Sequence, residues 1–132
     1  MEGKDIRWKQ RFANYQLAMQ NLKEGIEIKN PSELEKSGII QVFEYTFELA
    51  WKTMKDFLLE VDIQVNFPRD VLKSAFSYEI IKEGDIWIDM LEKRNLMSHT
   101  YHKENAKLAY SLVKNKYYAQ LNEFEKLMKT KL

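Results

Sequence analysis

Residues 31–61 read PSELEKSGIIQVFEYTFELAWKTMKDFLLEV, a stretch that has no proline after its first position and a single glycine. Apolar side chains recur in it every three or four residues, the period of one helix face, at Ile39, Phe43, Phe47, Ala50, Met54, Phe57 and Val61. Tyr45, Leu49 and Leu59 fall on other faces of the same predicted helix. A helix that is apolar on more than one side is central in its bundle or also makes an interface, so this stretch predicts an all-α bundle.

The residues before this stretch give the predicted start of its helix. Asn30 is a suitable N-cap, Pro31 suits the first helical position, and Glu33 stands where a capping box needs an acidic residue. We therefore expect one long helix that runs from Pro31 to about Val61.

Four further helices are expected around this central one. The first runs from about Lys4 to Glu24 and carries an apolar stripe with spacings of four and three, Trp8, Phe12, Tyr15, Met19, Leu22 and Ile26. The last runs from about Lys103 to Lys129 and carries the stripe Ala106, Ala109, Val113, Tyr117, Leu121, Phe124 and Met128. Between them, helices are predicted from Pro68 to about Ile81 and from Ile86 to about Ser98.

The links between these helices are short. Residues 63–67 are β-branched in part and precede a proline, and we interpret them as an extended connector. Gly84 ends the predicted helix that starts at Pro68, and Asp85 can cap the following helix. Because short links favour antiparallel neighbours, residues 1–132 are predicted to form a single domain, an up-and-down bundle of four or five helices.

The charge balance and the composition exclude several classes of protein. Lysine and arginine number 21 and aspartate and glutamate 20, so the net charge of +1 provides no global field for nucleic acid, and any contact with RNA must be local. The absence of cysteine excludes disulfides and thiolate metal sites. The first ten residues are charged and no run approaches the ~18 apolar residues of a membrane span, so we expect no membrane contact and a cytoplasmic location.

The predicted helix that ends near Ser98 places a charge where an apolar side chain is expected. At about 100° per residue, Arg94 projects near the middle of the face formed by Ile86, Trp87, Met90, Leu91 and Met97. A guanidinium keeps its proton, so burial there demands partners. One interpretation is a structural ion pair with Glu44, and the other is a polar cleft in which Arg94 binds phosphate.

The residues that follow Arg94 complete the candidate site. Asn95 and Ser98 lie towards one flank of the apolar face, and His99 lies about 140° from Arg94 if the helix stays regular. A regular helix therefore does not bring Arg94 and His99 together. Either the helix distorts near Ser98 or the site is completed across a homodimer, which the surplus apolar surface of the central helix favours.

The two histidines and Tyr101 have alternative roles. His99 and His102 are the only histidines, and two ligands without a third do not make a convincing metal site, so no metal and no cofactor are predicted. His102 occupies a position where an acidic or amide cap is expected, and it either caps poorly or adds a second imidazole to the cleft. Tyr101 either closes the end of the bundle or presents a hydroxyl that binds or accepts a phosphate.

Three segments resemble a known family, and the last of them contains a short signature. Residues 94–101 have the form R-x4-H-x-Y, which resembles the signature of HEPN proteins, helical bundles that are usually dimeric. Residues 43–52, 67–72 and 87–101 resemble three blocks of one HEPN branch, the nucleotidyltransferase substrate-binding proteins. The order and spacing of these blocks fit over nearly the whole chain.

The resemblance implies that the chain is the non-catalytic half of a two-part nucleotidyltransferase. A separate minimal nucleotidyltransferase, encoded nearby, would carry the metal and nucleotide site, and this bundle would present the acceptor. In related pairs AMP is added to the tyrosine of the motif, which is Tyr101 here. The chain itself has neither a glycine-rich phosphate loop nor a paired-carboxylate metal motif.

The resemblance also implies a second function, a metal-independent ribonuclease toxin of a toxin–antitoxin pair, so whether the chain is an enzyme stays open. His99 would act as base or acid, Arg94 would stabilise charge on the RNA phosphate, and Asn95 would hold His99 or the phosphate. AMP on Tyr101 would then block the access of RNA by bulk and charge. A third interpretation is a structural bundle in which the motif only tethers helices.

Overall fold

The computed structural model describes the backbone of residues 2–132 and the side chains of residues 6–132, so Met1, which the predicted domain includes, lies outside the described residues. The described chain forms the helices α1 (Glu2–Ile26), α2 (Glu33–Glu60), α3 (Pro68–Ser77), α4 (Gly84–Glu92), α5 (Arg94–Ser98), α6 (Lys103–Leu112) and α7 (Tyr118–Lys129). No strand occurs between residues 2 and 132, and the all-α prediction is confirmed. No helix in this part of the chain is both long and apolar enough to cross a bilayer.

Helices α1 and α2 form an antiparallel pair. Arg11 Nε donates to Asp56 Oδ2 at 2.7 Å towards one end of the pair, and Asn21 Nδ2 donates to Tyr45 Oη at 3.2 Å towards the other. The apolar stripe predicted for α1 faces the core, because all of its members except the last are buried, namely Trp8, Phe12, Tyr15, Met19 and Leu22. The α1–α2 pair therefore supplies much of the core.

The C-terminal helices close the bundle against this pair. Tyr15 Oη donates to the Leu121 carbonyl oxygen at 2.6 Å, and the Tyr15 ring packs edge-on against Phe124. The Phe43 ring of α2 stacks on Tyr117 with 5.4 Å between centroids. The predicted stripe of the last helix is buried, at Ala106, Ala109, Val113, Tyr117, Leu121, Phe124 and Met128. These contacts confirm the predicted up-and-down helical bundle.

Helix α2 begins later than predicted. Its N-cap is Ser32, whose side chain accepts from the Glu35 N–H at 3.1 Å, while Glu35 Oε1 accepts from the Ser32 N–H at 2.8 Å. The prediction that Asn30 caps the helix with Pro31 in its first turn was wrong. An N-cap needs an extended backbone, which Ser32 has at φ −67° and ψ 169°, whereas Asn30 has a φ of 51°.

Two predicted helix ends near Gly84 were also wrong. α3 ends at Ser77 rather than Ile81. Glu79, two residues after this end, has a φ of 65°, which no α-helix can contain. α4 begins at Gly84 with Glu83 as its N-cap, so the glycine opens this helix instead of ending the one before it. Asp85 lies inside the first turn, where its charge suits the helix dipole, and it is not the cap.

The predicted continuous helix from Ile86 to Ser98 is interrupted. α4 ends at Glu92, and Lys93 has φ −83° and ψ 6°, a turn conformation outside the helical region. α5 then runs for five residues and ends at Ser98. A distortion was expected near Ser98, and the structure has one five residues earlier, at Lys93. The side chains of α5 therefore do not continue the angular order of α4.

A single π-helical turn, Val113–Tyr117, separates α6 from α7 within the predicted helix from Lys103 to Lys129. From Ala109 to Leu121 the stripe residues are spaced by four, and on an α-helix this spacing rotates the stripe by about 120° in total. A π-turn accommodates one extra residue and removes most of that rotation. The stripe therefore stays directed at the core throughout the segment.

Asp89 of α4 joins this π-turn to the break before α5. Tyr117 Oη donates to Asp89 Oδ2 at 2.5 Å, Lys116 Nζ donates to the same oxygen at 3.1 Å, and Lys93 Nζ donates to Oδ1 at 2.9 Å. Burial acts to raise the pKa of Asp89, but these three hydrogen bonds and the charge of Lys93 outweigh it and lower the pKa to about 2. Burial and the bond to Asp89 raise the pKa of Tyr117 well above its usual range. The carboxylate is therefore ionised near neutral pH.

This network predicts an acid-sensitive component of stability. A carboxyl group whose pKa is lower in the folded chain stabilises the fold above its unfolded value, 3.8 here, and this contribution is lost as the pH falls towards about 2. A shift of this size corresponds to about 2 kcal/mol. We expect Asp89→Asn to lower the free energy of unfolding at neutral pH by about this amount and to flatten its decline below about pH 4, measured by urea denaturation.

The control for this measurement is Asp70→Asn, which removes an exposed carboxylate from the first turn of α3. It should change the free energy of unfolding only slightly. An acid-dependent decline of the same steepness in wild type and Asp89→Asn would contradict the role assigned to Asp89.

Candidate functional site

The segment predicted to carry the site forms α5 and the turn after it. Met97 anchors α5 in the core, where its side chain is 2% exposed. Ser98 Oγ donates to the Arg94 carbonyl oxygen at 3.0 Å and closes the last turn of the helix. Asn105 Nδ2 of α6 donates to the His99 carbonyl oxygen at 3.0 Å. The candidate residues are thus held by one buried side chain and a few polar contacts.

Arg94 lies at the surface and not inside the apolar face. Its side chain is 45% exposed, because the turn at Lys93 removes the regular rotation on which the predicted burial depended. Arg94 Nη2 lies 3.8 Å from Glu48 Oε1. The interpretation that Arg94 pairs with Glu44 was wrong, because its partner stands four residues later on α2. An exposed pair contributes roughly 0–1 kcal/mol, so Arg94 can exchange Glu48 for another anion at little cost.

A groove of about 350 Å³ lies beside Arg94, between α2 and α5. Its polar lining includes Arg94, Ser98, Glu44 and Glu48. Burial raises the pKa of Glu44. The apolar walls of the groove remove water from one side of its side chain, while the other side meets solvent. With two carboxylates against one guanidinium, this groove disfavours a polyanion while Glu48 holds Arg94.

A side-chain contact joins His99 and Tyr101. His99 Nδ1 lies 3.2 Å from Tyr101 Oη, and the two rings meet edge-on with 5.7 Å between centroids. Tyr101 is 76% exposed, so its hydroxyl is open to a second molecule. Either atom can donate in this contact, because the imidazole proton can occupy either ring nitrogen. The phenol therefore has a base within hydrogen-bond reach.

The Tyr101 ring also packs against His102, with 4.5 Å between ring centroids. His102 is the N-cap of α6 and makes no side-chain cap hydrogen bond, so α6 begins where predicted although histidine caps it poorly. Among the described residues no group of three or more histidine, cysteine, aspartate or glutamate side chains could hold a metal ion. His102 thus joins the candidate site through the tyrosine ring.

The structure divides the predicted site into two parts. Arg94 and Ser98 line the α2–α5 groove, whereas His99 and Tyr101 contact one another on the following turn. Between the described side chains of Arg94 and His99 there is no hydrogen bond or ion pair. Asn95 is exposed on α5. One chain therefore brings His99 to Tyr101 and not to Arg94.

Residues 10–130 match a protein family described as nucleotidyltransferase substrate binding protein like. The chain belongs to this family. The match extends over both parts of the candidate site and over most of the helical bundle. The resemblance that the three sequence blocks predicted is thereby confirmed.

A curated relative of this chain is the "Probable ribonuclease HepT" of Haemophilus influenzae. The two chains are 33% identical over 82 residues, which cover 58% of this chain and 56% of the relative. The chain therefore spans little more than half the length of the curated relative that it matches.

Two solved structures share the fold of this family member. A protein of Thermus thermophilus is 28% identical, with a TM-score of 0.72 over 87% of this chain and 92% of its own. A protein of Haemophilus influenzae is 22% identical, with a TM-score of 0.67 over 94% of this chain and 98% of its own. The latter structure is described as revealing the fold of a substrate binding domain of a nucleotidyltransferase, and at this identity the likeness shows the fold alone.

Sequence reasoning missed Glu48, Asp89 and Tyr117, which position the motif. Asp89 and Lys93 stand four residues apart on a helix, where opposite charges pair, so this signal was available. Glu48 stands one turn after Glu44, on the same side of α2. The stripe of the last helix predicts that Tyr117 is buried, but no local pattern predicts its bond to Asp89, because that bond joins residues 28 positions apart.

The bond from Asn105 to the His99 carbonyl predicts local control of the motif turn. We expect Asn105→Ala to raise amide hydrogen exchange at residues 99–102 several-fold. The free energy of unfolding should fall by less than about 1 kcal/mol, because the lost bond is at the surface. Asn115→Ala removes a comparable exposed bond, to Ser111, and should leave exchange at residues 99–102 unchanged. A uniform rise across all helices in Asn105→Ala would argue for a global role instead.

Proposed function

We propose that this chain is the acceptor subunit of a separate minimal nucleotidyltransferase and that Tyr101 receives a nucleoside monophosphate from ATP. The observation that carries the proposal is the exposed Tyr101 hydroxyl, 3.2 Å from His99 Nδ1. Membership of the nucleotidyltransferase substrate binding protein like family supports a partner of this kind.

Exposure favours Tyr101 over the other tyrosines. Tyr15 and Tyr117 are fully buried, and their hydroxyls already donate within the core. Tyr45 and Tyr78 are 41% and 42% exposed, against 76% for Tyr101. A nucleotidyltransferase must bring its bound nucleotide against the attacking oxygen, and Tyr101 meets this requirement without any part of the bundle opening.

The transfer requires the phenol to lose its proton as it attacks. The Tyr101 oxygen forms a bond to the α-phosphorus of ATP, the bond from that phosphorus to the bridging oxygen breaks, and pyrophosphate leaves. The phenolic proton passes to His99 Nδ1 across the existing contact. His99 thus acts as a general base, while the partner holds the nucleotide.

Incubation with the nucleotidyltransferase encoded beside this gene, ATP and Mg²⁺ tests the acceptor role. We expect intact-mass spectrometry to show addition of AMP, and peptide mapping to place it on Tyr101. Tyr101→Phe should abolish the addition, and His99→Ala should slow it about a hundredfold by removing the base. His102→Ala keeps the contact of His99 with Tyr101 and should slow it much less.

Tyr78→Phe is the matched control, because Tyr78 is the most exposed tyrosine outside the motif. It should be adenylylated at the wild-type rate. A modified Tyr101→Phe protein, or an unmodified wild type in the presence of a partner that is demonstrably active, would sink the proposal.

A second candidate function is a metal-independent ribonuclease that acts as the toxin of a toxin–antitoxin pair. It is favoured by the 33% identity over 82 residues to a relative named probable ribonuclease HepT. Adenylylation of Tyr101 would then be the inactivating step, since it adds bulk and negative charge beside His99. Both functions need ATP or RNA, which points to the cytoplasm as the place of action.

His99 can act on RNA through the nitrogen that Tyr101 leaves free. When Tyr101 Oη accepts from Nδ1–H, the lone pair of Nε2 can take the proton of a ribose 2′-hydroxyl. The 2′-oxygen attacks the adjacent phosphorus, the 5′-oxygen leaves and takes a proton from water, and a 2′,3′-cyclic phosphate remains. Arg94 stabilises the charge that develops on the non-bridging oxygens.

A homodimer would bring Arg94 of one protomer to His99 of the other. Tyr45 lines the α2–α5 groove and is 41% exposed, which leaves aromatic surface beside Arg94 for such a contact. Leu49, predicted to add to this surface, packs partly buried against the core, so the free apolar area is smaller than predicted. RNA would have to displace Glu48 from each Arg94, because Glu44 and Glu48 outnumber Arg94 in this groove.

Cleavage of RNA by the chain without its partner, in the presence of EDTA, tests the ribonuclease. We expect products that end in 2′,3′-cyclic phosphate, and a loss of about a hundredfold or more in Arg94→Ala and in His99→Ala. Arg69→Ala is the matched control, because Arg69 is likewise exposed and paired with a glutamate, Glu92, at 3.2 Å.

The dimeric form of this mechanism has its own signature. If each site combines Arg94 of one protomer with His99 of the other, mixing the two inactive variants restores a fraction of the activity. Wild-type cleavage without any recovery in the mixture would instead place both residues of each site on one chain.

A further inference from the structure

A second groove, of about 480 Å³, lies beside Tyr101 between the first turns of α2 and α6. This volume falls within the range of small-molecule sites. We call it the lysine groove, and its lining includes Leu34, Lys36, Ser37, Tyr101, Lys103 and Lys107. Since Tyr101 belongs to its wall, a group joined to the Tyr101 oxygen is tethered beside this groove.

The lysine groove concentrates positive charge. Three ammonium groups and the carboxylate of Glu33 line it, which leaves a balance of +2 in the groove against +1 for the whole chain. Lys103 Nζ lies 2.9 Å from Glu33 Oε1, with side chains 82% and 69% exposed. So exposed a pair is weak, and a phosphate can displace the carboxylate.

The groove also carries an apolar edge. Leu34 is 84% exposed, more than any other large apolar side chain among residues 6–132. An aliphatic side chain next to clustered ammonium groups suits a ligand that combines a flat base with a phosphate. A surface of lysines that only meets solvent gives no reason for an exposed Leu34.

We propose, on the basis of the proposed acceptor function, that the lysine groove binds the nucleoside monophosphate carried by Tyr101. The phosphodiester formed on the tyrosine has one negative charge and is tethered at the groove, so the groove sees it at high effective concentration. Lys103 and Lys107 contact the phosphate, and Leu34 packs against the base. The adduct is therefore held on its own chain and shielded from solvent.

Glu33 competes with the phosphate for Lys103 in this arrangement. Glu33→Gln frees the ammonium group and strengthens binding, whereas Lys103→Gln weakens it. If the ion pair had only a structural role, Glu33→Gln and Lys103→Gln would have the same effect, because each removes one partner of the pair. The opposite signs of the two variants therefore distinguish a phosphate site from a surface salt bridge.

The test uses adenylylated protein that has been separated from the nucleotidyltransferase and exposed to a phosphodiesterase. We expect the Lys103→Gln/Lys107→Gln adduct to be hydrolysed about tenfold faster than the wild-type adduct, and the Glu33→Gln adduct more slowly. Lys126→Gln/Lys129→Gln, which removes two charges from α7, is the matched control and should behave as wild type. Unchanged melting temperatures show that the variants are folded.

A second measurement is independent of the transfer reaction. AMP is titrated into the unmodified chain, and amide chemical shifts report its binding. We expect shifts at residues 34–37 and 101–107, and a dissociation constant about tenfold higher in the double lysine variant. If wild-type protein is never adenylylated, the acceptor function fails, and this titration still decides whether the groove binds the nucleotide.

Three outcomes overturn the inference. They are adduct hydrolysis at one rate in all variants, changes of the same sign in Glu33→Gln and Lys103→Gln, and an AMP titration that the lysine variants leave unaltered. If the lysine variants lower RNA affinity but leave adduct hydrolysis unchanged, the groove serves RNA and the inference is equally overturned.

Discussion

The ionised carboxylate of Asp89 constrains the rest of the molecule. A charge removed in part from water needs several donors, and Asp89 finds them in Lys93 and in Lys116 and Tyr117 of the π-turn. α4, the turn before α5 and the last helical segment must therefore dock together. Because Lys93 immediately precedes Arg94, the position of the whole motif depends on this carboxylate.

Periodicity predicted the helices, because an apolar stripe is a local property that the sequence displays directly. The core followed from it, since the stripes of α1 and of the last segment are buried. Helix ends were less predictable. Asn30 and Ser32 are both good cap residues, and the backbone conformation that chose Ser32 is set by how the chain leaves α1. The break at Lys93 has no local signal, because a tertiary contact between Asp89 and the π-turn holds the end of α4 in place.

For the site, the sequence predicted the residues better than their arrangement. The exposure of Arg94 depends on the interruption before α5, which periodicity does not reveal. On a regular helix, His99 and Tyr101 would point about 160° apart. They meet because α5 ends at Ser98 and the chain turns. His99 stays apart from Arg94, as it would on a regular helix, so the family motif resolves into a His–Tyr pair and an arginine beside a different groove.

The π-turn has a consequence for how such a chain can change in length. It holds one residue more than a regular helix between the same ends would need. Deleting a residue between positions 113 and 117 would restore a regular helix and alter where Lys116 and Tyr117 stand against α4. Asp89 would then keep only its hydrogen bond from Lys93, and a partly buried charge with too few donors would destabilise the fold. The length of this segment and the acid at position 89 therefore depend on each other.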